Sequence, residues 1–321
     1  MRALAAATTG GMLLVLVMGA AVTNTGSAEG CGRSWPLCNG QFIPEFSVAT
    51  AIEYSHRAVT GVEGLLVLAL AATMLRLYRK TSTEASVLAA LMVATLVLQA
   101  GLGAGAVLMP QSPAMLASHF GVSLVAFAST FLSAAYVFAR TRRVGSPGAA
   151  HALPPEVAPP AGFRRAVLLV SVYILGVVYL GAYVRHAGVS LACADWPLCN
   201  GQLVPSLEGA SGVVFAHRVA ALGAIVLLAW LATAARRAHV GFAPAVYAVV
   251  LAVLQALSGA LVVWTRLDLF STLAHAAVMA LLFAALGVLV RRVLRPRGAE
   301  AAAARGEPGR VGGRSPLKSF S

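Results

Sequence analysis

The sequence contains eight apolar stretches that are each long enough to cross a lipid bilayer as a helix. A bilayer core about 30 Å thick requires roughly 20 such residues. Hydrophobic residues make up 59% of the chain and charged residues only 11%, so a soluble enzyme is excluded. We therefore expect an all-α membrane protein with eight transmembrane helices. The stretches lie at about 4–24, 53–76, 85–109, 117–140, 164–186, 213–235, 243–265 and 271–292.

The first stretch also resembles a secretory signal peptide, because a basic residue precedes an apolar run and small residues. The stretch at 164–186 has the same local layout in the middle of the chain, where no signal peptide can lie. We therefore favour a retained first span.

Lys and Arg residues are divided unequally between the two sides of the predicted membrane protein. Of the 24 Lys and Arg residues, only five lie on the side opposite the two termini, namely Arg33, Arg57, Arg185, Arg218 and Arg266. Basic residues accumulate on the cytoplasmic side, so both termini are predicted to be cytoplasmic. The net charge of +13 is thus mainly a topology signal. It indicates anionic membrane lipid as a partner and not nucleic acid.

The chain repeats itself in two parallel halves. Residues 31–44 read CGRSWPLCNGQFIP and residues 193–205 read CADWPLCNGQLVP, and the matches continue into the spans that follow. The predicted fold is therefore two pseudo-symmetric four-helix bundles. The predicted boundaries are 1–143 for the first half, 144–163 for a Pro-rich cytoplasmic linker, 164–292 for the second half and 293–321 for a disordered basic tail.

Four histidines lie a few residues inside the same end of the even-numbered spans: His56, His119, His217 and His275. A single histidine in a span is usually explained by a hydrogen bond to a neighbouring helix. Four at one depth, two in each half, fit two haems that are each held by a pair of imidazoles. A zinc site would need three or four ligands that converge on one point. The other three histidines, at 151, 186 and 239, are interpreted as bystanders.

The two halves differ beside these histidines. Glu53 lies three residues before His56 and shares its helix face, whereas the aligned residue before His217 is Val214. A carboxylate beside a macrocycle can stabilise positive charge or move protons. The structural alternative is a glutamate at a helix N-terminus, favoured by the helix dipole. The sequence favours the functional interpretation for Glu53 and ranks the deeper Glu63 below it.

Two arginines and two glutamines accompany the histidines. Arg57 and Arg218 each follow a histidine, and they either pair with a haem propionate or extend to lipid headgroups. Gln99 and Gln255 occupy matched positions within spans, where interhelical hydrogen bonds are expected.

All four cysteines lie in loops on the oxidising side, where disulfides persist. The spacings of seven and six residues allow Cys31–Cys38 and Cys193–Cys199 each to close a small loop, although spacing alone does not prove the pairing. The second pair is interpreted as structural. The first pair is either structural or able to transfer electrons by thiol–disulfide exchange.

These motifs together resemble the haem A synthase family over about residues 4–292. The most specific elements are EYSHR at 53–57, the two Cys-WPLC loops and a histidine on every even-numbered span. The cysteine pairs resemble a bacterial subgroup of the family. One departure is VTNTG at 22–26, where the second repeat has VRHAG at 184–188.

The resemblance implies an oxidoreductase of the bacterial plasma membrane that converts the C8 methyl group of haem O to the formyl group of haem A. It implies that His56 and His119 hold haem O, with Glu53 as the catalytic carboxylate. It implies that His217 and His275 bind the iron of a resident haem b. Quinol or another electron donor, haem O synthase and a second copy of the chain are the candidate partners.

Three other functions compete with this one. A di-haem cytochrome that takes electrons from quinol accounts for the histidines, but not for a carboxylate in one half alone. A thiol oxidase that resembles DsbB accounts for the cysteines, but not for eight spans. A transporter would need discontinuous helices and a polar path at the membrane midplane.

Overall fold

The computed structural model describes residues 1–109, 112–144 and 159–294. These residues form eight α-helices and no β-strand apart from two isolated bridges. All eight helices are long and apolar enough to cross a membrane, so the predicted all-α membrane protein is confirmed. The helices are α1 (Arg2–Asn24), α2 (Val48–Tyr78), α3 (Thr83–Leu108), α4 (Pro113–Val144), α5 (Ala161–His186), α6 (Gly209–Arg237), α7 (Phe242–Trp264) and α8 (Leu269–Leu294).

Helix α2 begins earlier than the apolar pattern predicts. Ser47 caps it, because its hydroxyl accepts a hydrogen bond from the Thr50 N–H at 3.2 Å. With 31 residues the helix is about 46 Å long at 1.5 Å per residue, which exceeds a bilayer core of about 30 Å. The early start places Glu53 and His56 in the second and third turns, inside the helix and not at its N-terminus.

The helices form two closed rings. Consecutive helices contact each other from α1 to α4, and α1 also contacts α4; helices α5 to α8 are arranged in the same way. The rings meet where α4 packs on α5 and α8, and where α1 packs on α8. In the most apolar part of α4, 61% of the residues are buried, compared with 22–39% in the other helices. Helix α4 is therefore the central helix of the molecule, and the others are more exposed to lipid.

Two loops with the same geometry close one end of the molecule. The predicted cysteine pairs are confirmed, with S–S distances of 2.03 Å for Cys31–Cys38 and 1.96 Å for Cys193–Cys199. In each loop the second cysteine pairs through its backbone with the glutamine three residues later. We call this end of the helices the cysteine end.

Polar contacts also join the two halves. At the cysteine end, Arg185 of α5 donates to Asn24 Oδ1 at 2.8 Å and to the Thr23 carbonyl at 3.2 Å, both on α1. At the opposite end, Arg291 of α8 forms an ion pair with Glu84 of α3. The predicted linker and tail lie mostly outside the described residues, and the proposed division of labour between the halves stays a prediction.

Candidate functional site

Each of the four predicted ligand histidines packs its ring against a glycine of the preceding helix. Because glycine has no side chain, an imidazole can lie directly on the helix backbone. A β-carbon built onto these glycines would lie 3.3, 3.5, 2.5 and 3.3 Å from the histidine Cε1 atoms, in chain order. The pairs are Gly19–His56, Gly103–His119, Gly181–His217 and Gly259–His275.

Sequence reasoning did not identify these glycines, although the repeat carries a signal for them. Gly19 and Gly181 begin the aligned segments GAAVTNTG and GAYVRHAG, and Gly103 and Gly259 each lie four residues after the matched glutamines. A glycine conserved between two repeats indicates a position where the backbone is closely approached. The periodicity of the spans does not show what approaches it.

The structure places the two histidines of each half at the same end of the helix ring. They lie within the first three turns of its second and fourth helices, which are on opposite sides of the ring. The Nδ1 atoms of His56, His119 and His217 are buried without a hydrogen-bond partner. Buried polar atoms in native proteins are rarely left without a partner. Two imidazoles on facing helices, in apolar surroundings, therefore form a donor set that fits a haem iron.

The arrangement does not fit a metal ion that is held by several converging side chains. Within residues 1–109, 112–144 and 159–294, no three His, Cys, Asp or Glu residues are grouped so that they could share a metal ion. Structural zinc sites use four such ligands. The paired imidazoles are thus suited to a cofactor that brings its own equatorial ligands.

His275 differs from the other three because both of its ring nitrogens have partners. The Ser258 hydroxyl lies 2.9 Å from the Gln255 carbonyl and 2.8 Å from His275 Nδ1. When the hydroxyl donates its one proton to the carbonyl, its oxygen accepts from Nδ1, and the proton of the neutral ring is then on Nδ1. His275 Nε2 then accepts from the Gln255 side-chain amide at 2.9 Å. This tautomer keeps on Nε2 the lone pair that a metal ligand needs.

The first half lacks this arrangement. Leu102 occupies the position of Ser258 in the aligned repeat, and so no hydroxyl meets the Nδ1 atom of His119. The matched Gln99 instead donates to the His119 carbonyl at 2.8 Å and to the Ser123 hydroxyl at 2.9 Å. Both glutamines therefore make the predicted interhelical hydrogen bonds, but only the one in the second half reaches an imidazole.

Glu53 is buried and fully bonded, with only 4% of its surface exposed. Its Oε1 atom pairs with Arg57 Nη2 at 2.5 Å, and its Oε2 atom accepts from the Cys31 N–H at 2.8 Å. A charge-assisted pair with a second hydrogen bond holds the carboxylate in one orientation. Its burial argues against the alternative of an exposed glutamate at a helix terminus. The carboxylate is instead attached to the first cysteine loop.

Arg57 and Arg218 fix the cysteine loops in both halves. Arg57 Nη1 donates to the Ser34 and Leu37 carbonyls at 2.7 and 2.8 Å. Arg218 donates to the Leu198 carbonyl at 2.5 Å and to the Cys193 carbonyl at 3.2 Å. The structure thus gives both guanidinium groups a loop-binding role that the sequence did not indicate. Their contact with a haem propionate stays a prediction.

His186 ends α5 beside Arg185 and is partly buried. Helix α5 packs against α4, which carries His119 of the other half. The interpretation of His186 as peripheral to the haem sites stays a prediction.

The second cysteine loop is held by a carboxylate of its own. Asp195 accepts from the N–H groups of Gly201 at 2.7 Å and Asn200 at 2.5 Å. The hydrogen bond from Gly201, followed by that from Asn200, holds the pKa of Asp195 below its ordinary value. In the first loop the aligned Ser34 hydroxyl accepts from the Gly40 N–H at 3.0 Å, so a neutral group does the same task there.

Comparison with known proteins gives a consistent result. The COX15-CtaA family model, described as cytochrome oxidase assembly protein, matches residues 42–287. The heme A synthase of Alkalihalophilus pseudofirmus is 40% identical over 291 residues, which are 89% of this chain and 95% of the relative. The heme A synthase of Bacillus licheniformis is 40% identical over 312 residues, 92% of this chain and 97% of the relative. That of Symbiobacterium thermophilum is 41% identical over 282 residues, 87% and 90% of the two chains.

These relatives confirm the resemblance that the histidines, the EYSHR motif and the cysteine loops indicated. The family model matches α2 to α4 of the first repeat and nearly the whole of the second, and the relatives match along nearly their whole length. The chain belongs to the COX15-CtaA family of cytochrome oxidase assembly proteins.

Proposed function

We propose that the chain is a haem A synthase, which oxidises the C8 methyl group of haem O to the formyl group of haem A. One observation carries the proposal: both halves contain a matched pair of histidines, but a buried carboxylate lies beside only one pair. The relatives named heme A synthase, about 40% identical, support the same activity.

The first half is the proposed substrate site. His56 and His119 hold haem O between α2 and α4, with their rings set against Gly19 and Gly103. Neither Nδ1 atom has a partner within the protein, whereas in the second half one of the two rings, that of His275, is held through Nδ1 by Ser258. A pair with neither ring held in this way suits a macrocycle that must enter as substrate and leave as product.

Glu53 is the proposed catalytic carboxylate. Oxidation of a methyl group on an aromatic macrocycle develops positive charge on the carbon and releases protons. A buried carboxylate can stabilise that charge or accept a proton from the reacting groups. Arg57 and the Cys31 N–H fix its orientation, so it needs no rearrangement before the reaction.

The second half is the proposed site of a resident haem b. His217 and His275 would hold it, and it would supply electron transfer to or from the substrate. Ser258 keeps the proton on His275 Nδ1, and a partner of this kind also raises the basicity of a metal-binding imidazole. A fixed tautomer suits a cofactor that stays bound.

The remaining features belong to the same proposal. The enzyme lies in the bacterial plasma membrane with both termini in the cytoplasm, because basic residues are concentrated on the terminal side. Conversion of the methyl group to a formyl group removes four electrons and adds one oxygen atom, so the reaction needs an oxidant. With dioxygen in that role, each of the two oxidation steps would consume one O2, two protons and two electrons from quinol or another electron donor, and would release water. Haem O synthase would supply the substrate. Such lipid-soluble partners can reach the exposed helices from within the bilayer.

The test is substitution of each of the four histidines by alanine and of Glu53 by glutamine, in cells that also produce haem O. Variants of His217 and His275 should lose the resident haem b. Variants of His56, His119 and Glu53 should keep it and lose haem A formation. Pyridine haemochrome spectra and chromatography of extracted haem measure the two effects. His239→Ala, at an exposed turn, is the matched control.

Two results would contradict the proposal. If all four histidine variants kept their full haem content, the sites would be wrong. If the purified protein carried two haem b groups and never converted haem O, the di-haem cytochrome would be the better description.

A further inference from the structure

Glu63 is a second buried carboxyl in the first half, and neither the proposed chemistry nor the packing accounts for it. Only 3% of its surface is exposed, and its Oε1 atom is buried without a hydrogen-bond partner. The described part of the chain offers it no ion pair. An ionisable group within a membrane span is costly, and such groups usually mark a functional site.

Glu63 lies directly below the proposed substrate ligand. It follows His56 by seven residues, so the two side chains share one face of α2. At 1.5 Å per residue, Glu63 is about 10 Å further from the cysteine end. Its carboxyl group lies against Gly11 of α1, just as the His56 ring lies against Gly19 of that helix. The missing side chain of Gly11 makes the space that the carboxyl occupies.

The second half has no carboxyl group at this place. The residues aligned with Gly11 and Glu63 are Tyr173 and Ala224. Tyr173 extends to α6, where its hydroxyl donates to the Ala220 carbonyl at 2.9 Å. The repeat thus serves as an internal comparison, in which the deep carboxyl occurs only in the half proposed to bind haem O.

The two haems differ chemically at one edge of the porphyrin. Haem b carries a vinyl group where haem O carries a farnesyl chain attached through a carbon that bears an alcohol. This edge is opposite the two propionates. An alcohol both donates and accepts hydrogen bonds, and so it can pair with a carboxyl oxygen.

The histidine pair determines which edge reaches Glu63. A line from His56 on α2 to His119 on α4 runs across the ring of helices. A porphyrin held between the two imidazoles has its plane perpendicular to this line, so the plane runs parallel to the helices. Its charged propionates are least costly at the aqueous cysteine end. The alcohol edge then points down α2 toward Glu63.

We propose that Glu63 binds the alcohol of the farnesyl-bearing side chain of haem O and thereby distinguishes haem O from haem b. The inference rests on the proposed function, because it requires haem O in the first half. Glu63 acts as a specificity residue, and Glu53 remains the catalytic group.

The test compares the affinities of haem O and haem b for the first half. The full chain, loaded with its resident haem, is titrated with each haem without an electron donor, so that no turnover occurs. Glu63→Ala should weaken haem O binding roughly fivefold to tenfold, the effect of one hydrogen bond, and leave haem b binding unchanged. Glu63→Gln, which can still pair with an alcohol, should retain most of the preference.

Two controls keep the inference falsifiable. Glu45→Ala removes an exposed carboxylate and should change neither affinity. An unchanged spectrum of the resident haem shows that each variant is folded. Equal weakening for both haems, or an unchanged preference in Glu63→Ala, would overturn the role of Glu63. If the wild-type protein converts haem O in a separate assay, the proposed function survives that result; if it does not, the proposed function itself fails.

Discussion

The contact between Gly181 and His217 allows a quantitative prediction. A β-carbon added at Gly181 would lie 2.5 Å from Cε1, 3.0 Å from Nε2 and 3.2 Å from Nδ1 of His217. Carbon atoms in contact are separated by about 3.5–4.0 Å. The Gly181→Ala variant therefore forces the imidazole to move by roughly 1 Å.

A displacement of this size matters for a metal ligand. Ligand geometry must be held to within about 0.5 Å to be productive. Overpacking of this kind costs about 1–3 kcal/mol. Where this cost falls on the haem-bound state, in which the imidazole cannot move aside, it corresponds to an affinity loss between roughly fivefold and 150-fold. We expect Gly181→Ala to lower the affinity for haem b by a factor in this range.

The control lies on the same helix. A β-carbon at Gly176 would meet no atom within 4 Å, so Gly176→Ala makes the same change of helix propensity without the clash. Haem content per protein, and the absorbance spectrum of the purified variants, measure the effect. Gly259→Ala, at 3.3 Å from His275 Cε1, should give an intermediate result. Equal haem content in the Gly181→Ala and Gly176→Ala variants would refute the reasoning.

Two further predictions concern the second half. Ser258→Ala leaves His275 Nδ1 buried without an acceptor, which costs about 1–3 kcal/mol. Haem b content should fall and its midpoint potential shift, whereas Ser258→Thr should restore both; an unchanged potential in the alanine variant would contradict this. The pKa of Asp195 lies below its ordinary value of 3.8, so the carboxylate stays ionised and keeps its hydrogen bonds to the loop when the pH falls to 3.8. These hydrogen bonds are lost only at more acidic pH, as the pH falls through the lowered pKa. Amide protection at Gly201 should therefore decrease only in that acidic range, while the loop of Ser34 stays unaffected.

Much of the site could be predicted from the sequence because the chain contains its own comparison. The repeat aligned His56 with His217 and showed Glu53 against Val214, so the asymmetry of charge was visible without coordinates. Membrane spans are also strongly patterned, since each needs roughly 20 apolar residues. The cysteine pairs were predictable because each pair lies within one short loop.

Interactions that involve three groups could not be predicted from the sequence. The tautomer of His275 depends on the direction of the Ser258 hydroxyl, which in turn depends on the Gln255 carbonyl. The role of Arg57 depends on how the first loop folds back over α2. No pattern of residue types encodes such geometry, because each contact depends on the position of two other groups.

Arg185 marks the place where an internally duplicated protein cannot be symmetric. Its partners on α1 are Asn24 and Thr23, and Thr23 is its own counterpart in the other repeat. The two halves are related by an approximate two-fold axis. Two aligned residues, one from each half, can contact each other only if both lie close to this axis. A second arginine at position 23 would set two like charges against each other, at a cost that grows as water is excluded. The duplicated halves had to diverge here, with a cation on one side and a short polar segment to receive it on the other.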